Sequence, residues 1–171
     1  MRLFSAVVFL ALTASAAFLV VGLMNPDFEY QTDVFVAAPV EETFAVFTDE
    51  DRLGVWLSGL VSIQYLRGEP GAVGSFYRLT FDENGRQIVL TKELTGLRDN
   101  ELSSASLDGQ MMRADVSSRF SVEGNGTRIV TTNVVRPKGL VYRTLMWLSR
   151  GELQDRQQAD FERFRLLVQT N

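Results

Sequence analysis

Val34-Phe35-Val36-Ala37-Ala38-Pro39-Val40-Glu41-Glu42-Thr43-Phe44-Ala45-Val46-Phe47 is the stretch that decides how the chain reads. Thr32 to Val36 suits a strand, with Val34 and Val36 on one face. Pro39 fits the first position of a helix, where its missing N–H would have no partner anyway. Glu41 and Glu42 fall in the first turn, where the helix dipole favours anions. Phe44 and Phe47 share a face at i, i+3. The helix should stop near Thr48-Asp49-Glu50-Asp51, and a second short helix should cover Leu53 to Leu60 and carry Trp56. Gly71-Ala72-Val73-Gly74 then feeds a new strand.

Downstream the pattern is a series of strands. Val61 to Leu66, Ser75 to Phe81, Arg86 to Leu97, Glu101 to Leu107, Gln110 to Val122 and Thr127 to Val135 are separated by glycine- and asparagine-rich turns. Glu83-Asn84-Gly85 is a tight hairpin turn, since Asn-Gly tolerates positive φ. Such spacing argues an antiparallel meander. Arg136-Pro137-Lys138-Gly139 ends the strands, and Leu140 to Gln169 reads as a long helix weakened at Gly151. Met146, Leu153, Phe161, Phe164 and Val168 form its apolar stripe, while its middle, Glu152 to Asp160, is polar. The order is strand, two short helices, six strands and a long helix, an α+β class.

That order, with Pro39, Trp56, Gly71, Gly74 and Gly126-Thr127 in place, resembles the SRPBCC superfamily (START/Bet v 1-like, including polyketide cyclase-like proteins) over roughly residues 30–171. The resemblance implies a helix-grip fold: a curved antiparallel sheet of about seven strands around the C-terminal helix, with an apolar cavity between them. The inner strand faces would offer Tyr77, Leu79, Phe81, Ile88, Leu90, Met112, Val116 and Phe120. Asn133 is the polar inner-face residue best placed for a ligand contact. Phe44, Trp56, Met146, Leu153 and Phe161 would face them from the helices. For each of these residues, plain core packing is the competing reading. Lys92 shares the inner parity and reads as a rim residue with its ammonium in water.

Leu3 to Met24 is 22 residues without a charge, closed by Asn25-Pro26-Asp27. At about 1.5 Å per residue it is long enough to cross a hydrocarbon core of about 30 Å. Residues 1–25 therefore read as a transmembrane anchor or signal-anchor. The rival reading is a cleaved signal peptide, for which Ala14-Ser15-Ala16 fits the cleavage pattern. Arg2 precedes the span and no Lys or Arg follows until Arg52, so the positive-inside bias places the domain on the extracytoplasmic side.

Composition prunes the remaining chemistry. Without Cys or His, thiol nucleophiles, Ser-His-Asp triads and the usual zinc sites are excluded. No cofactor or metal site is expected. A formal charge of −4 without a basic block argues against nucleic acid as a partner. Gly68, Gly71 and Gly74 precede a strand rather than a helix, so they are not a dinucleotide fingerprint. Three functions compete: a membrane-tethered binding module for a hydrophobic small molecule or lipid; a cyclase/dehydratase-like enzyme on a polyketide or isoprenoid-type substrate, with Tyr77 and Lys92 as its acid–base candidates; and an envelope interaction protein with a vestigial cavity.

Overall fold

The computed structural model describes residues 2–170. Met1 and Asn171, at the outer ends of the two expected segments, lie outside the described residues. Helix α1 (Arg2–Met24) comes first, then strand β1 (Phe28–Val36), α2 (Val40–Thr48), a 3₁₀ turn (Glu50–Arg52) and α3 (Leu53–Trp56). Strands β2 (Leu60–Arg67), β3 (Phe76–Glu83), β4 (Arg86–Arg98), β5 (Leu102–Gly109), β6 (Met112–Glu123) and β7 (Gly126–Pro137) follow, and α4 (Leu140–Leu148) and α5 (Arg150–Gln169) close the chain. The strands form one antiparallel sheet in the order β1-β7-β6-β5-β4-β3-β2. This is the expected α+β helix-grip architecture.

The expected elements appear with two differences. The second short helix ends at Trp56 rather than Leu60, because Leu57 is already extended and Leu60 pairs with Phe81 in the sheet. The long C-terminal helix is two helices. The break falls at Ser149, two residues before Gly151, where φ −93° and ψ 10° leave the helical region. The Ser149 hydroxyl donates to the Leu145 carbonyl at 3.1 Å, a back-bond of the kind that bends helices. The bend lets α4 lean on α1 while α5 crosses the sheet.

Asn84 and Gly85 take φ 55° and 81°, the left-handed pair that a two-residue hairpin turn requires. The alternation on β7 is complete: Thr127, Ile129, Thr131, Asn133 and Val135 are all buried. Their inward parity continues across β6 through Phe120↔Ile129, Ser118↔Thr131 and Val116↔Asn133, and across β1 through Val34↔Ile129 and Thr32↔Thr131. Two apolar clusters occupy the two ends of this face. One gathers Val34, Val36, Phe44, Trp56, Phe120, Ile129, Phe161 and Phe164. The other gathers Phe28, Ala114 and Val135, with Met112, Met146 and Leu153 packed against them.

Candidate functional site beneath α5

Register makes the inner face of β3–β6 continuous with that of β7. Tyr77 pairs with Lys92, Leu79 with Leu90 and Phe81 with Ile88. Lys92 pairs with Leu107, and Ala105 with Val116. Of the fourteen expected lining residues, thirteen fall into three groups and Asn133 stands apart.

Phe44, Trp56, Phe120 and Phe161 belong to the first cluster and pack ring on ring. Phe44 and Phe120 meet edge to face at 5.1 Å, and Trp56 and Phe161 stack at 6.0 Å. Phe47 and Phe164 complete the set. Their faces are spent on one another, so they close one end of the cup rather than leaving it open. Met112, Met146 and Leu153 are half-buried in the second cluster, at the other end. Tyr77, Leu79, Phe81, Ile88, Leu90 and Val116 lie on the inner face between. Among the described residues, neither cluster includes any of these six.

Asn133 lies on the inner face, as its parity suggests, but its amide is engaged by α5 rather than left for a ligand. Its Nδ2 donates to Gln157 Oε1 at 2.7 Å, and Gln157 Nε2 donates back to Asn133 Oδ1 at 3.3 Å. Thr32 Oγ1 also donates to Gln157 Oε1, at 3.0 Å. Ser118 and Thr131 hydroxyls bond each other at 2.8 Å. A buried amide must be paired, and here α5 supplies the partner. The polar middle of the last helix is thus explained: it sits over a polar band that divides the two apolar clusters.

Lys92 also departs from its expected rim position. Its neighbours in parity, Leu90 and Leu94, are buried, and its ammonium lies 5.5 Å from the centre of the Tyr77 ring. Burial pulls the Lys92 pKa below the usual lysine value, while the Glu50 carboxylate pulls it back up. Tyr77 is 1% exposed, and its hydroxyl accepts from the Gly71 N–H at 2.8 Å. The glycine loop therefore roofs Tyr77. Gly68, Gly71 and Gly74 all take positive φ, which suits a loop folded back on its own strand. The Trp56 indole N–H is buried with no partner among the described residues.

Sequence reasoning missed how α5 is gripped. On the β1 side, Gln154 and Gln158 side-chain amides donate to the Gln31 and Asp33 carbonyls at 2.9 and 3.3 Å. On the other side, buried Asp160 accepts from the Ser58 N–H at 3.1 Å and from the Ser58 hydroxyl and Arg163. Arg156 donates to the Ser58 carbonyl at 3.1 Å and pairs with Glu83 of the β3–β4 hairpin. The only sequence signal for this was the concentration of polar residues in mid-helix. Two open depressions flank α5. One of about 370 Å³ is lined by Glu29, Tyr30, Leu148, Arg150, Gly151 and Gln154. The other, about 290 Å³, is lined by Ser58, Gly59, Asp82, Glu83, Asn84 and Arg156, at the latch itself.

Comparison with known proteins follows the fold. The family described as polyketide cyclase / dehydrase and lipid transport matches residues 27–165. No curated protein matches the chain. Among solved structures, TTHA0849 from Thermus thermophilus is 18% identical with a TM-score of 0.71, over 84% of this chain and 98% of that one. Ginseng major latex-like protein 151 from Panax ginseng is 10% identical with a TM-score of 0.63, over 84% and 98%. The di-domain ARO/CYC StfQ from the steffimycin biosynthetic pathway is 9% identical with a TM-score of 0.71, over 86% of this chain and 52% of StfQ. At these identities the likeness is one of fold.

Proposed function

The chain belongs to the polyketide cyclase / dehydrase and lipid transport family, and from that premise we propose that it is a membrane-tethered binding protein for a hydrophobic small molecule or lipid. The ligand lies beneath α5 against the inner face of β3–β6. One observation carries this reading: Phe81, Ile88 and Val116 face inward yet are only half-buried and stand outside both core clusters, beside the buried Tyr77, Leu79 and Leu90. Apolar side chains turned inward without joining a core are what a ligand surface requires. The tether is α1, whose Phe4–Met24 span is long and apolar enough to cross a membrane and is only 6% buried. With Arg2 before it, the folded domain lies on the extracytoplasmic side. Anchoring keeps the cup beside a bilayer in which apolar ligands partition, raising their effective concentration.

The test is lipid extraction and native mass spectrometry of the full chain purified from its own membranes. A stoichiometric apolar ligand is expected. Val116→Trp, which adds a bulky ring to the inner face beneath α5, should abolish its retention while leaving the circular dichroism unchanged. Ligand-free protein that also fails to take up lipid would overturn the reading in favour of an interaction protein with a vestigial cavity.

Lys92 favours a second reading. A partly desolvated amine over a phenol ring is suited to acid–base work on a carbonyl substrate, so a cyclase-like reaction would run between Lys92 and Tyr77. Turnover of a poly-β-carbonyl substrate, lost in both Lys92→Met and Tyr77→Phe, would establish it.

A further inference from the structure

Helix α4 presents an apolar face that the domain leaves uncovered. Val141, Leu145 and Leu148 stand at i, i+4 and i+7, and are 52%, 49% and 59% exposed. The adjacent face of the same helix is locked to α1. Thr144 Oγ1, fully buried, donates to the Phe18 carbonyl at 2.8 Å. Gly22 closes the contact: a Cβ there would stand 2.5 Å from Thr144 Oγ1 and 2.6 Å from the Leu140 carbonyl oxygen. Phe18 lies six residues before Met24, the end of the apolar span. At a rise of about 1.5 Å per residue, that is roughly 9 Å inside the end of the span. Interfacial helices bury their apolar faces about 5–10 Å into the headgroup and acyl boundary. If α1 crosses the bilayer, this contact draws α4 to that depth.

The charges agree. Arg143 lies within α4, Arg150 and the Asp108-paired Lys138 flank it, and no acidic residue occurs from Lys138 to Gly151, in a chain of net charge −4. The Arg150 guanidinium sits 4.1 Å from the centre of the Trp147 ring, an amphipathic pair of the kind found at membrane–water boundaries.

We infer that α4 is an interfacial helix that lies in the bilayer surface with Val141, Leu145 and Leu148 in lipid, and that the Thr144–Phe18 and Gly22 contact fixes it there. This rests on the tether reading. It sets the end of the cup formed by Phe28, Met112 and Met146 against the membrane, because Met146 of α4 packs into that cluster. The domain is then docked on the bilayer with one fixed orientation rather than hung from a flexible leash.

The chain has no cysteine, so single Leu145→Cys, Leu148→Cys, Leu12→Cys and Val122→Cys variants of the full chain can each carry one NBD fluorophore. They are reconstituted in phosphatidylcholine vesicles containing shallow or deep doxyl-labelled lipid. Labels at 145 and 148 should be blue-shifted, several-fold brighter than at 122, and quenched most by the shallow lipid. The label at 12 should be quenched most by the deep lipid, and the label at 122 by neither. Adding Gly22→Leu should abolish quenching at 145 and leave it at 12. Quenching at 12 with a water-exposed label at 145 overturns the interfacial helix and leaves the tether standing. No quenching at 12 overturns both. A label at 145 that is shielded from water but untouched by doxyl lipid, with excimers from pyrene at the same site, assigns the face to a second copy and overturns the bilayer assignment.

Discussion

Burial holds the Lys92 ammonium below the usual lysine range, with Glu50 opposing it. Between its folded value and 10.5, the unfolded chain binds a proton that the folded chain does not, so stability rises with pH across that window. Lys92→Met should therefore raise the melting temperature at pH 7 and flatten the rise toward pH 10, as read by thermal melts across that range. Tyr30 moves the other way: burial first, and the Asp160 charge second, push its phenol up to about 12. The folded state keeps that proton longer, so the stability linked to it is intact below pH 10 and lost as pH climbs toward 12. A spectrophotometric titration at alkaline pH should show a late phenolate that Tyr30→Phe removes. Phe164 is fully buried, 5.1 Å from the Trp56 ring centre and 5.6 Å from Phe47. Phe164→Ala should cost about 3–5 kcal/mol in urea unfolding, because no neighbouring ring can collapse into the gap without breaking its own contacts. Of these residues, Phe164 was legible as core from its stripe. The half-burial of Lys92 was not, since parity places a lysine on a face without saying whether anything covers that face.

Helix α5 packs Phe161, Phe164 and Val168 into the core, and its polar middle is held on both flanks by polar side chains. Asp160 on Ser58 and the Gln157–Asn133 amide pair are shielded from solvent, whereas the Arg156–Glu83 pair is 39% and 38% exposed. An exposed pair of that kind contributes at most about 1 kcal/mol, yet it spans from α5 to the β3–β4 hairpin. Arg156→Met should thus leave unfolding nearly unchanged while speeding uptake of the apolar dye ANS in stopped-flow mixing. An unchanged uptake rate would show that the dye enters elsewhere, by the β1 side of α5. Strand boundaries and hairpin turns were readable because alternation and Asn-Gly chemistry are local. The break at Ser149 was misplaced by two residues because it depends on a hydroxyl back-bond and on α4 having α1 to lean on.

At the scale of the molecule, the proposed tether and cup are one device only if α1 stays on the chain. Alkaline carbonate washing of membranes should leave the full chain in the pellet, whereas a chain lacking residues 1–25 should be released; recovery of both in the wash would remove the tether. The sequence alone determined the order of elements, the seven-stranded α+β class and the apolar first helix, because each is written in a repeat of two or 3.6 residues and in turn chemistry only a few positions long. The tertiary structure decided which inward-facing side chains became core and which stayed outside it. It also half-buried Lys92, paired Asn133 with Gln157 and locked Thr144 to Phe18. Those contacts join residues as far as 126 positions apart, and no local periodicity records which distant face will cover a given side chain.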